Sequence, residues 1–251
     1  MRLILGDCLE AMDEIPTGSV NMICTDLPYG TTSIQWDTPI QLDKLWEGYK
    51  RLLSPKGCVV LFGSQPFTAK LVISNLEWFK YELVWNKNKC GSPGLAKYRP
   101  MKTHENILVF APGKTVYNPQ MEVGEAYQRA APKKIRCNNH GYGFTNSTGV
   151  KNEGTRYPKS ILNIGRDFSA QQQVHPTQKP VPLLSWLVKT YSNEGDTVLD
   201  SCMGSGTTGI ACMNLGREFI GVEKDETIFA VATQRLSEHL LTLADEPEEM
   251  I

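Results

Sequence analysis

The chain has 251 residues, 41% of them hydrophobic and 21% charged, enough for one full domain, or one domain with an insert, whose core needs no disulfide or metal staple. Its formal net charge of −1, from 26 Lys+Arg against 27 Asp+Glu, argues when read globally against a simple polyanion binder. The balance hides an asymmetry, because residues 80–159 hold 14 basic and 5 acidic side chains, a local +9 against −10 for the remainder. No apolar run approaches the length of a membrane-spanning helix, and the N-terminus turns acidic at Asp7, unlike a signal peptide. The seven cysteines are odd in number and lack C-x-x-C spacing, so with four scattered histidines they predict no metal site and fit reduced thiols in a cytoplasmic protein.

Along the chain, strand and helix signals alternate. Arg2–Leu5 predicts a short strand ending at Gly6-Asp7, and Cys8–Ile15 has helical spacing. Ser19–Thr25 is an apolar run that predicts a buried strand and stops at Asp26-Leu27-Pro28-Tyr29-Gly30. Leu42–Leu53 is helical and ends before Ser54-Pro55-Lys56-Gly57; Cys58–Phe62 predicts a strand, and Pro66–Leu76 a helix with proline in its first turn. Tyr81–Trp85 and Ile107–Phe110 are further strand signals. From about residue 112 to 172 the pattern gives way to Gly, Asn, Pro, Lys and Arg, which predicts an inserted region with a task of its own. Regular signals return at Val181–Tyr191 (helix), Thr197–Asp200 (strand), Thr207–Leu215 (helix), Phe219–Glu223 (strand) and Glu226–Leu243 (helix). The alternation implies an α/β fold with a mainly parallel sheet and helices on both faces.

Two motifs carry chemistry. Asp200-Ser201-Cys202-Met203-Gly204-Ser205-Gly206-Thr207-Thr208 joins a strand to a helix through glycines, which let a ligand approach the backbone at a helix N-terminus. Glu223 ends the next strand, 19 residues beyond Gly204, where an acid grips a ribose diol in nucleotide-binding α/β folds. A phosphate-binding loop is excluded, since no Lys follows Gly209; a plain turn with no ligand is the alternative. The second motif, Asp26-Leu27-Pro28-Tyr29, follows a buried strand. A carboxylate, an outward carbonyl before proline and an aromatic face suit a flat ring bearing an exocyclic amino group. Trp36 and Trp85 are further aromatic candidates, although core packing is the simpler reading of both.

Together these motifs resemble the amino-group DNA methyltransferases, which move a methyl from S-adenosylmethionine to N6 of adenine or N4 of cytosine. Asp26-Leu27-Pro28-Tyr29 resembles the catalytic motif, with Leu27 in place of the usual first proline. Residues 200–208 resemble the methionine-end loop, with Cys202 in place of the usual Phe, and Gly221-Val222-Glu223 resembles the ribose-binding element. His175-Pro176-Thr177-Gln178-Lys179-Pro180 resembles the motif that helps close the cofactor pocket, and Leu5-Gly6-Asp7-Cys8 an element beside the cofactor adenine. His104-Glu105-Asn106-Ile107-Leu108-Val109-Phe110 matches a framework motif.

The order (catalytic half 1–111, insert 112–172, cofactor half 173–251) is that of the family's beta class. The resemblance implies a Rossmann-like S-adenosylmethionine-dependent methyltransferase fold with an inserted target-recognition region. It implies catalysis by Asp26, Leu27, Pro28 and Tyr29. It implies cofactor binding by Asp7, Cys8, His175, Thr177, Lys179, Asp200, Cys202, Gly204, Ser205, Gly206, Thr207, Thr208 and Glu223. For double-stranded DNA the basic candidates are Lys87, Lys89, Lys97, Arg99 and Lys102, expected in a loop after a strand, and Lys133, Lys134, Arg136 and Arg156 in the insert. Asp26 favours adenine N6 within the family, with the target base flipped out of the duplex. N4-cytosine methylation and an inactive DNA-binding relative are the alternatives. No metal is implied. A homodimer and a cognate restriction endonuclease stay open as partners, and the expected setting is bacterial or phage-encoded, in the cytoplasm at the nucleoid.

Overall fold

A computed structural model describes residues 1–30, 38–91, 93–129, 150–165 and 178–245. In chain order the elements are β1 (Arg2–Leu5), α1 (Cys8–Ala11), β2 (Val20–Thr25), α2 (Leu42–Leu52), β3 (Leu53–Gly63), α3 (Phe67–Ser74), β4 (Phe79–Gly91) and β5 (Lys102–Phe110). Four short strands follow: β6 (Glu122–Val123), β7 (Tyr127–Arg129), β8 (Val150–Asn152) and β9 (Thr155–Arg156). The chain then forms β10 (Ile161–Asn163), α4 (Val181–Tyr191), β11 (Thr197–Asp200), α5 (Thr207–Met213), β12 (Glu218–Glu223) and α6 (Glu226–Asp245). It divides into two compact units, Met1–Asn118 with Ser160–Ile251, and Pro119–Lys159.

The larger unit is built on one sheet with the order β1-β12-β11-β2-β3-β5-β4-β10. All described pairings are parallel except those of β5, which runs against β3 and β4. The α/β alternation predicts this parallel arrangement, an open Rossmann-like sheet covered by helices on both faces. Strand side chains alternate between two cores. Met22, Cys24, Val60 and Phe62 point to one face and pack with α4, α5 and α6. Ile23, Val59 and Leu61 point to the other and pack with α1, α2 and α3. Helix α2 commits to that second core through a single stripe, Leu45, Trp46, Tyr49 and Leu52.

Several boundaries differ from the sequence reading. The helix expected over Cys8–Ile15 is one α-turn followed by a 3-10 turn at Met12–Glu14, because Pro16 drives Ile15 into an extended conformation. The strand expected to begin at Cys58 begins at Leu53, and Ser54-Pro55-Lys56-Gly57 forms a bulge inside β3, since Val20 pairs with Leu53 while Met22 pairs with Cys58. A Cβ on Gly57 would stand 2.8 Å from the Asn21 carbonyl, so the bulge closes only over a glycine. The loop expected to carry Lys87, Lys89 and Lys102 is largely strand: β4 runs on to Gly91, with Asn86 opposite His104 and Gly91 opposite Lys102. Long-range pairing overrides the polar composition there.

The smaller unit holds two antiparallel pairs, β6 with β9 and β7 with β8. Arg156 in β9 lies over the Tyr127 ring at 4.7 Å and bonds to the Asn152 side chain and the Glu125 carbonyl. Among the described residues no helix is long and apolar enough to cross a membrane.

In β12, a Cβ on Gly221 would lie 2.4 Å from Met203 Sδ and 2.7 Å from the Phe219 ring. Gly221→Ala is therefore expected to lose roughly 1–3 kcal/mol by overpacking. Thermal melting beside the parent chain checks this, and an unchanged melting temperature would contradict it.

Candidate active site

Strands β11 and β2 lie side by side where the sheet order reverses: from β11 the chain crosses to β12 on one side, and from β2 to β3 on the other. Loops leaving the carboxyl ends of such neighbours face a common crevice. The Asp200 loop and the Asp26 loop are those two loops. They are tied together where they leave the sheet. Thr25 Oγ1, at the end of β2, donates to Asp200 Oδ1 at 2.6 Å and accepts from the Cys202 backbone N–H at 3.1 Å. From below, the Tyr49 hydroxyl of α2 bonds Ser201 Oγ at 2.6 Å.

The glycine loop is shaped by its backbone. Gly204 and Gly206 adopt φ of +51° and +76°, a left-handed conformation that favours glycine, and Gly206 sits directly before α5. Met203 N–H donates to the Val222 carbonyl at 2.8 Å, and Gly204 N–H to Glu223 Oε2 at 2.9 Å, which moors the loop to β12. Glu223 Oε1 accepts from the Lys224 and Asp225 N–H groups at 2.9 and 3.0 Å. A carboxylate has about four acceptor positions, so three bonds fix this one and leave capacity for a hydroxyl. Arg235 of α6 donates to the Ser205 carbonyl at 2.8 Å and to Thr207 Oγ1 at 3.0 Å, and so closes the back of the loop.

Asp200 is buried, with its oxygens taken by the Thr25 hydroxyl, the Thr208 hydroxyl at 2.6 Å and the Cys202 N–H. Burial outweighs these donors and pushes its carboxyl up to about 6. Asp7 caps α1 by accepting from Leu9 N–H at 3.0 Å and takes Lys224 Nζ at 3.0 Å. Cys8, the first residue of α1, is a neighbour of Cys202; their interaction holds the Cys8 thiol down and, with burial, pushes the Cys202 thiol up.

On the other side of the crevice, Asp26 Oδ1 accepts from the Tyr29 hydroxyl at 2.8 Å, and Oδ2 accepts from Lys179 Nζ. The Tyr29 ring stacks on Phe67 with centroids 5.1 Å apart. Lys179 also pairs with Glu105 Oε2 at 3.4 Å, and Glu105 Oε1 with Lys87 at 3.0 Å. Burial works against the Glu105 charge, yet the two flanking ammonium groups hold its carboxyl down at about 2. Burial likewise works against the Lys179 charge, and Asp26 and Glu105 together hold its ammonium above the ordinary value.

One cavity of about 1120 Å³ takes in Asp26, Tyr29, Lys179, Asp200, Gly204 and Glu223. Drug-sized ligand pockets are typically about 300–1,000 Å³, so this one has room for more than one small ligand. Leu27, Pro28, Asp7, Cys8, Cys202, Ser205, Thr207 and Thr208 also line it. The structure thus gathers the described members of both predicted sets around a single space, except Gly206, which shapes the loop from behind the lining. His175 and Thr177 lie outside the described residues, as do Trp36, Lys133, Lys134 and Arg136. Trp85 is fully buried, with its indole N–H on the Ile164 carbonyl at 2.8 Å. Lys89, Lys97 and Arg99 are exposed, whereas Lys87 turns to Glu105 and Lys102 to Ser64. Sequence reasoning missed Glu105 and Arg235 as parts of the site. The signal for Glu105 was a lone acid leading into the apolar run Ile107–Phe110.

A family model described as DNA methylase matches residues 20–234. The chain is 27% identical over 254 residues to the type II methyltransferase M.HpaI of Haemophilus parainfluenzae, covering 94% of this chain and 74% of that protein. Among solved structures, that of the M1.HpyAVI–SAM complex superposes with a TM-score of 0.63 at 25% identity, covering 94% of this chain and 98% of the other. PvuII DNA methyltransferase, described as cytosine-N4-specific, superposes with a TM-score of 0.65 at 16% identity and shares the fold.

The folded Asp200 carboxyl titrates near 6 against an ordinary 3.8. Between those values the folded state holds the extra proton, so this group adds stability as pH falls and the gain is complete below the unfolded value. Relative to Asp200→Asn, the parent chain is expected to gain about 2–3 kcal/mol between pH 7 and pH 4. Urea unfolding of both proteins at the two pH values tests this, and a stability difference that stays constant refutes it.

Proposed function

The chain belongs to the DNA methylase family, and on that premise we propose that it methylates N6 of adenine in duplex DNA at a specific site, using S-adenosylmethionine and flipping the target base. The observation that carries the reading is the shared cavity, which is lined both by Asp26 and by Gly204 and Ser205 of the glycine loop. Bound S-adenosylmethionine supplies an electrophilic methyl group. The residues fit that cofactor: Glu223 is oriented by three backbone donors towards a ribose diol, and a side chain added at Gly204 would meet nothing within 4 Å, so the backbone there is open to close approach.

The target amine is a weak nucleophile because its lone pair is delocalised into the ring. Asp26 and the Leu27 carbonyl accept its two N–H groups, which favours a pyramidal nitrogen with its lone pair free for in-line attack. Asp26 then takes the proton that the methylated nitrogen sheds. This is positioning and electrostatics, with no covalent enzyme intermediate. Tyr29, itself braced on Phe67, stacks on the base. A base inside a duplex cannot reach a strand-end crevice, hence the flipping. An acid at position 26 favours adenine over cytosine. Residues 112–172 serve as the target-recognition region, and Lys89, Lys97 and Arg99 together with the basic insert residues contact phosphates.

Asp26→Ala is expected to lower methyl incorporation from labelled S-adenosylmethionine into duplex DNA by at least a hundredfold, with cofactor affinity retained. Loss of cofactor binding in a folded variant would remove Asp26 from its role. Mass analysis of the digested product identifies the base, and N4-methylcytosine would overturn the adenine assignment. DNA affinity is expected to fall steeply, by about tenfold or more, between 50 and 200 mM salt. A flat response in a binding titration would take the basic segment out of the account.

A further inference from the structure

Four charges stand in a row at the cavity, three of them, Asp26, Lys179 and Glu105, in its lining. Lys87 pairs with Glu105, Glu105 with Lys179, and Lys179 with Asp26, so the row sums to zero. Lys179 is its hinge: the ammonium is almost wholly buried, lies 4.9 Å from the centre of the Phe62 ring, and stands between the Asp26 carboxylate, just past β2, and the Glu105 carboxylate, within β5. A buried lysine is costly unless paired, and here one pair is made with the catalytic acid Asp26 and the other with the non-catalytic acid Glu105.

We propose that Lys179 is a positioning residue for methyl transfer, and that Glu105 acts through it. The proposal rests on the assignment of Asp26 as the amine acceptor. With Tyr29 on Oδ1 and Lys179 on Oδ2, the Asp26 carboxylate is held at both ends and cannot rotate. Each oxygen keeps a lone pair, and the target amine takes one of them. Glu105 divides the hold of Lys179. With Glu105 neutral, the ammonium belongs to Asp26 alone, and the incoming amine competes against a tighter partner. Without Lys179, Asp26 Oδ2 loses its brace and the Glu105 carboxylate, which Lys87 only partly offsets, repels Asp26 from its position, so that neutralising Glu105 relieves the repulsion. The cost of losing Glu105 therefore changes sign with the residue at position 179. Ordinary packing roles would not produce that reversal.

The test uses the full chain, long unmethylated duplex DNA of mixed sequence, and saturating S-adenosylmethionine, and reads initial rates of methyl incorporation beside cofactor Kd. Lys179→Met is expected to lose about a hundredfold or more in rate with cofactor Kd changed less than about threefold, and Lys179→Arg to recover at least tenfold of that loss. Glu105→Gln is expected to slow the parent enzyme about tenfold, yet to speed the Lys179→Met variant. A cofactor Kd that weakens in step with the rate makes Lys179 a cofactor ligand and overturns the proposal, as do additive effects of the two substitutions. Should Lys179→Met fail to fold, Glu105→Gln decides alone: a slower rate at unchanged Kd supports the proposal, and an unchanged rate overturns it. A parent chain that binds S-adenosylmethionine but transfers no methyl strikes instead at the proposed function, and this inference falls with it.

Discussion

The bond between Thr25 and Asp200, from the tip of β2 to the tip of β11, is the contact on which the site depends. These two strand ends come from opposite halves of the chain, 175 residues apart in sequence. Their pairing closes a long loop of chain, an entropic debt that the apolar faces of the sheet offset by burial on both sides. Everything chemical is arranged around that seam. Asp26 follows Thr25 directly, and the glycine loop follows Asp200 directly, so a small error in strand register would separate acceptor and cofactor loop.

The seam also has an electrostatic cost. Among the described residues Asp200 is buried without a cationic partner, and two hydroxyls and a backbone N–H stabilise it. Its carboxyl is pushed up accordingly. Nearby, the opposite solution operates: Glu105 is buried between two lysines and its carboxyl is pulled down. The lining of one cavity thus contains one acid whose ionisation is disfavoured and one whose ionisation is favoured. Folded-state architecture assigns those characters, since the residue types differ by a single methylene.

The opening charge balance acquires a different meaning in this setting. A net of −1 is a sum over an acidic core and a basic segment, and the acids are not idle surface. Asp7, Asp26, Asp200 and Glu223 line the cavity and are occupied in capping helices, mooring loops or receiving lysines. The basic segment is similarly divided. Lys87, Lys102 and Arg156 are engaged inside their own units, whereas Lys89, Lys97 and Arg99 reach solvent.

The sequence by itself determined the main element types outside residues 112–172, the parallel character of the sheet, and the two motifs with their strand–turn context, because periodicity, glycines and prolines act over a few residues. It determined less of the boundaries: the bulge at 54–57 and the extension of β4 through Lys89 to Gly91 follow from partners far along the chain. Tertiary structure alone decided which residues of the motifs meet. Lys179 reads in sequence as a cofactor residue, and only folding brings it onto Asp26, 153 positions away, with Glu105 behind it. Charge pairing of that kind leaves no local signal, since a buried lysine and a solvated one are written with the same letter, and only the packing around them distinguishes the two.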